Sequence, residues 1–298
     1  MLLAIRYSPA GITRELTIGY DLVKHDLSAS MIPALLFALV SLNDAQADPL
    51  SWITCLALSC IYFFLFIYNF CLANQIAGID EDKINKPGRV LSSGRLSVQG
   101  AWMRWVIAMV AFPLFAYLVK PELLVWVFLW QLIVITYNFG GLDKHWFCKN
   151  MVFVSSGAIV LLCPAWNMVQ PLSAESLRWV LFVSIAFGIT LNLQDLRDIA
   201  GDKATGRRTL PIAIGQRSAR WICALLIAVL PLCTHYILFN HFAISWIGMA
   251  MEVLLAALNI CVVLRILTLN GAKHDDKTYK LHTGWFCMIV LSAFFVIG

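Results

Sequence analysis

The sequence predicts an all-α, polytopic membrane protein with nine transmembrane helices, and three observations carry that reading. Of the 298 residues, 60% are hydrophobic and only 13% charged, with a mean hydropathy of +0.79, whereas a soluble domain is about a quarter charged. Apolar runs of the length that a ~30 Å hydrocarbon core demands, roughly 20 residues, recur nine times. The basic residues, finally, collect in alternate connections between those runs, as membrane orientation requires.

In chain order, the opening "MLLAI" is too short for the apolar region of a cleaved signal, and Arg6 follows it at once. Residues 8 to 28 read as an interfacial segment, making 1–28 an N-terminal element before the first span. The spans then cover approximately residues 29 to 47, 51 to 73, 99 to 118, 122 to 140, 150 to 169, 176 to 194, 218 to 239, 242 to 267 and 281 to 297. A first acidic segment, 74–98, follows span 2, and a second, 195–217, follows span 6; the whole of 1–298 is expected to form a single domain. The nine cysteines lie mostly inside the apolar runs, with no CxxC and no His at zinc-ligand spacing. They are expected to be small buried apolar residues rather than disulfides or metal ligands.

With nine spans, the N-terminus and the connections after spans 2, 4, 6 and 8 share one side and hold 20 of the 22 Lys and Arg. Only Lys120 and Arg178 fall on the other. The positive-inside rule makes the basic face, and with it the N-terminus, cytoplasmic. The net charge of +5 is thus a statement about orientation. The basic patches have no nucleic-acid-reading context, so no nucleic acid is expected as a partner, and nothing points to an obligate protein partner.

Two connections carry acids in matching positions: "NQIAGIDEDKINKPGRVLSSGRLS" after span 2 and "NLQDLRDIAGDKATGRRTLPIAIGQRS" after span 6. Each starts with an Asn at the end of a span (Asn74, Asn192) and continues through carboxylates, Lys, Arg-x-Leu, Gly and Ser. On helical ends, Asn74, Gly78 and Asp82 share one face at i, i+4 and i+8, as do Asp195, Asp198 and Asp202 at i, i+3 and i+7. Carboxylates so close repel one another unless cations intervene. Mg²⁺ typically joins one or two carboxylates to phosphate oxygens, which suits acids this sparse. Lys83, Lys86, Arg89 and Arg95 beside the first segment, and Lys203, Arg207 and Arg208 beside the second, can take those oxygens. Lys144, Lys149 and Asn150 after span 4 lie on the same side and suit a further contact. "KHDDKTYKLH" after span 8 can close over the site through Tyr279. Phe63, Phe66 and Phe70 of span 2 point the same way as Asn74, and Asn69 is polar at membrane depth. There is no GxSxG, GxxxxGK[ST] or GxGxxG.

These segments resemble the UbiA superfamily of intramembrane prenyltransferases, and the frame "N…D…NKP.R…SGR" together with "DLRDIAGDKATGRRTLPIAIG" carries the likeness over nearly the whole chain. The resemblance implies nine helices around a central cavity, with Mg²⁺ and a prenyl diphosphate held between the two acidic segments. Carried over residue by residue, it implies Asn74, Glu81, Asp82, Asp195, Asp198 and Asp202 as metal ligands, with Asp82, Asp198 and Asp202 catalytic. Asn74, Lys86, Arg89, Lys149, Asn192, Lys203 and Arg208 are then expected to contact the substrate. The superfamily's Asn-Asp-x-x-Asp-x-x-x-Asp pattern stands here as Asn74, Gln75, Gly78 and Asp82, so two acids are missing and Glu81 is the nearest substitute. In that respect the chain is similar to the fungal branch that includes membrane-bound terpene cyclases.

The expected reaction is therefore Mg²⁺-dependent ionisation of farnesyl or geranylgeranyl diphosphate followed by cyclisation. Transfer of the prenyl group to an aromatic or other acceptor is the alternative. A transporter of a phosphate-bearing or divalent-metal solute is a third reading, although its acids belong near mid-membrane. The expected location is an integral, multi-pass protein with a cytoplasmic rim, in the endoplasmic reticulum if the source is eukaryotic.

Overall fold

The computed structural model describes residues 9–240 and 245–297. Arg6 and the first residues of the span expected at 242 to 267 lie outside them. Among the described residues there is no β-strand, only an isolated bridge between His145 and Arg208.

The helices are α1 (Pro9–Val23), α2 (Met31–Asp44), α3 (Pro49–Ala77), α4 (Ile79–Asn85), α5 (Val98–Val119), α6 (Leu124–Phe139), α7 (Ser155–Asn167), α8 (Ala174–Thr190), α9 (Asp195–Ala204), α10 (Leu210–Ile214), α11 (Gln216–Thr234), α12 (Trp246–Thr268) and α13 (Ala272–Ser292). Their starts follow from short polar caps. Asp48, with Pro49 behind it, accepts from the backbone N–H groups of Leu50 and Ser51 to open α3, and Ser97 and Ser245 do the same for α5 and α12. Ser173 and Ser176 cap one another at α8. Each cap satisfies a donor that the first helical turn leaves free.

Eight helical segments of the described residues are long and apolar enough to cross a membrane. The ninth run, expected at 281 to 297, falls mainly in α13, whose opening turns carry Asp275, Asp276, Lys277 and Lys280. The polar turns shorten its apolar stretch, so the count of nine is not met on length and composition. The stretch "KHDDKTYKLH" after span 8 is the start of this helix.

Outer helices turn a lipid face outward. Val106, Val110, Leu114 and Leu118 on α5 recur every four residues and are all exposed, the stripe a lipid-facing helix presents. The interior is closed by α13, which packs on α2 and so joins the last helix to the first membrane helix. At the N-terminus, α1 buries Ile18, Leu22 and Val23 but leaves Ile12, Leu16 and Tyr20 exposed on another face, in keeping with an interfacial segment.

Candidate active site

A chamber opens between the helices, enclosing with its mouth about 1040 Å³ not filled by atoms. Its inner wall is apolar and largely aromatic, with Phe66, Phe70, Trp130, Phe153 and Phe187 among its residues, whereas its rim carries Asp82, Lys86, Arg89, Asp198 and Arg207. Of the three α3 phenylalanines expected to point the same way as Asn74, Phe66 and Phe70 line the chamber. Phe63 does not; it packs edge-on against Tyr62. Asn69 also turns away, donating to the carbonyl oxygens of Leu65 and Ala108.

The first ledge forms because α3 ends at Gly78 and the chain restarts at once as α4. The break swings Glu81 and Asp82 inward, where both are buried, while Asp80 stays outside in a pair with Lys83. Arg89 then reaches back, its Nη1 lying 3.0 Å from Asp82 Oδ2 and 3.1 Å from Asn74 Oδ1. Asp26, from the segment before α2, stands 3.8 Å from the same guanidinium. Burial pushes the Asp82 carboxyl above its ordinary value, against the pull of Arg89 and Lys86. Burial works against the charge on Arg89 too, but Asp26 and Asp82 outweigh it and raise its pKa.

The second ledge is α9, joined to α8 by the 3₁₀-helical turn Leu191–Gln194, so that it forms the end of the long helical segment Ala174–Ala204. Before α7, residues Phe147–Val154 form a wider π-helical stretch, a feature often found at functional positions. It presents Lys149 and Asn150 to this ledge. Lys149 Nζ lies 2.7 Å from Asp195 Oδ1, and Asn150 donates to Asp195 Oδ2 and to Asn192 Oδ1, each at 2.9 Å. Asp202 is fully buried, yet neither of its carboxylate oxygens has a hydrogen-bond partner.

The two ledges meet. Asn85 on α4 donates to the Asp198 carbonyl at 3.0 Å and accepts from the Gly201 N–H at 2.9 Å. A Cβ at Gly201 would stand 2.4 Å from the Asn85 amide nitrogen, so only glycine lets the helices come this close. Lys86 extends the junction, 3.5 Å from Asp198 Oδ2. Arg207 spans it, bonding to Glu81, donating to Asp143 at 2.7 Å and lying 3.6 Å from Asp202 Oδ1. These carboxylates raise the Arg207 pKa despite its burial.

Of the residues expected at the site, Asn74, Glu81, Asp82, Lys86, Arg89, Lys149 and Asp198 line the chamber. Asp195 and Asn192 are buried behind its wall in the Lys149–Asn150 network. Lys203 and Arg208 are exposed and belong to neither the lining nor the ion pairs described; Arg208 instead pairs through its backbone with Lys144 and Trp146. Sequence spacing did not distinguish Arg207 from its neighbours, and it missed Asn85, Arg197, Asp26 and Asp143. Tyr279, expected as a lid, is buried in the wall with Arg197 4.1 Å above its ring. Among the described residues, no group of three or more His, Cys, Asp and Glu side chains stands together as a metal site.

The profile of the UbiA prenyltransferase family matches residues 30–290. The chain belongs to that family. Its similarity to the somaliensene A/B synthase of Streptomyces somaliensis is 32% identity over 96% of this chain and 95% of that protein. With diterpene cyclase eriG of Hericium erinaceus it shares 35% identity over 94% and 89%, and with polyprenyl transferase eriF of the same fungus 32% over 95% of each. The fold superposes on a UbiA homolog from Archaeoglobus fulgidus solved with GPP and Mg²⁺, at a TM-score of 0.63 and 12% identity over 93% and 99% of the two chains. This UbiA-family chain is accordingly an integral, multi-pass membrane enzyme.

Proposed function

We propose that this chain is a membrane-bound terpene cyclase that ionises a linear prenyl diphosphate and cyclises the resulting cation. One observation carries the reading: two carboxylate-bearing ledges, lined with Lys and Arg, converge on the mouth of an apolar, aromatic chamber. An amphiphile with an anionic head and a long apolar tail matches both zones at once. The named relatives support cyclisation through the somaliensene synthase and diterpene cyclase likenesses. The polyprenyl transferase relative supports the second reading, transfer of the same prenyl group to an acceptor. Transport is disfavoured because the acids stand at helix ends rather than halfway along a span.

The residues fit Mg²⁺. Asp202 is a buried carboxylate whose oxygens take no hydrogen bond and whose contact with Arg207 is a long 3.6 Å, a costly arrangement that a divalent cation would complete. Mg²⁺ needs only one or two carboxylates when phosphate oxygens complete its shell, so a cluster of three acids is not required. Asp82, Asp198 and Asp202 would hold it, with Glu81 beside them and Asp195 supporting from behind through Lys149. When bound, it neutralises negative charge on the departing diphosphate.

Lys86, Arg89, Lys149 and Arg207 would hold the diphosphate where charge develops as the C–O bond breaks, its electron pair leaving with the oxygen. Asn74, fixed by Arg89, orients the head. The apolar wall keeps water from the allylic cation, and the faces of Phe66, Phe70 and Trp130 stabilise it by about 0.5–2 kcal/mol each when desolvated. An internal double bond then supplies electrons to close the ring, and loss of a proton or capture of water ends the sequence. Walls and ledges come from both halves of the chain, which supports a single domain; the basic sidedness of the connections supports a cytoplasmic rim, in the endoplasmic reticulum if the source is eukaryotic.

Purified protein with Mg²⁺ and farnesyl or geranylgeranyl diphosphate, without acceptor, tests the reading. A cyclic product with matching diphosphate release is expected. Release only after an acceptor is added would move the assignment to transfer, and intact substrate under every acceptor and metal would overturn both.

A further inference from the structure

We propose that Trp130 sets the depth of the chamber and thereby the length of prenyl chain that the enzyme accepts. The inference rests on the prenyl diphosphate reading of the chamber and adds chain length to it. Trp130 of α6 and Phe66 of α3 stack with centroids 3.9 Å apart and planes within 8°. The indole Nε1 donates to the Phe66 carbonyl oxygen at 2.9 Å. A bond at one edge and a parallel ring on one face thus hold the indole in a single orientation, and both side chains line the chamber.

Gly157 of α7 completes the arrangement. A Cβ built there would lie 3.2 Å from Trp130 Cζ3 and 3.7 Å from Cη2, so the indole lies against α7 because that position has no side chain. By helical rise, Phe66 stands about 12 Å along α3 from Asn74, and Trp130 about 10 Å along α6 from Tyr137. Gly157 is set similarly far from Lys149. The three residues therefore share one level below the rim and form a cross-wall. Leu161, a turn further along α7, also lines the chamber, so space continues beyond the indole, which stands beside the way to it.

The prediction has two opposite signs, which a purely structural role of the indole would not produce. Trp130→Ala removes the cross-wall and favours a longer chain. Gly157→Ala adds a methyl behind the indole, presses it into the chamber and favours a shorter one.

Binding to the full-length protein in detergent with Mg²⁺ is measured for geranyl, farnesyl and geranylgeranyl S-thiolodiphosphates, whose C–S bond resists ionisation, and for inorganic diphosphate. Trp130→Ala is expected to shift the longer-to-shorter affinity ratio upward by about tenfold or more, and Gly157→Ala downward by a similar factor. Trp130→Phe should fall between wild type and Trp130→Ala, and it carries the test should the alanine variant fail to fold. Inorganic diphosphate should bind all variants as it binds wild type. Ratios within twofold of wild type, or a shift of both variants in the same direction, would overturn the gauge alone. Failure of wild type to bind any of the four probes would instead remove the substrate reading beneath it.

Discussion

Arg207 and Asp202 stand together at the junction of the ledges, yet substitution should affect them in opposite ways. Arg207 contacts Glu81, Asp143 and Asp202, so Arg207→Met leaves three buried carboxylates without their base. A loss of about 3–5 kcal/mol is expected, visible as a lower melting temperature in detergent. Asp202→Asn removes a buried charge that receives no hydrogen bond and should leave the melting temperature unchanged or higher. Diphosphate release should nonetheless fall by about 10² or more, the scale of a lost group that stabilises developing charge. A variant that melts early but turns over normally would contradict the role given to Asp202.

Between elements, the contact that matters is the Asn85 amide seated against the Gly201 backbone, because it is what brings α4 onto α9. Gly201→Ala should force the helices apart at a cost of about 1–3 kcal/mol and reduce turnover while the helical content stays at the wild-type level by circular dichroism. Asn85→Ala should reduce turnover by releasing the same junction. Because both variants break one contact, their combination should cost clearly less than the sum of the two, and strict additivity would argue against the clamp. The acids of each ledge were legible because helical periodicity is local: Asp195, Asp198 and Asp202 stand within two turns, and no distant partner is needed to align them. The pairing of those acids with particular bases is not legible in this way. Lys149 meets Asp195 from 46 residues away and Arg207 meets Glu81 from 126, and no local rule separates Arg207 from Arg208 beside it. Short-range chemistry likewise hid Asn85, which reads as an ordinary end to α4 until α9 lies on it. The apolar tail of α13 is legible as the span at 281 to 297, whereas the charges of its polar half obscure the continuity of the helix.

For the molecule as a whole, the sidedness of basic residues sets orientation. A cysteine placed at Asp80, whose side chain is 81% exposed, in a chain with its native cysteines replaced, should react with a membrane-impermeant maleimide only from the cytoplasmic face, and labelling from the opposite face would invert the topology. The mouth of the chamber has a further property at this scale. Its guanidinium and ammonium groups are already matched by carboxylates of the same chain, Arg89 with Asp82, Lys149 with Asp195 and Arg207 with Glu81, so the vestibule carries its own counter-ions and needs none from the bulk. Arrival of an anionic head together with a divalent cation is then an exchange of one internal neutralisation for another, with few mobile ions released. Affinity for the metal-complexed substrate should consequently change little between low and moderate salt, unlike an open cationic patch that sheds its ionic atmosphere on binding.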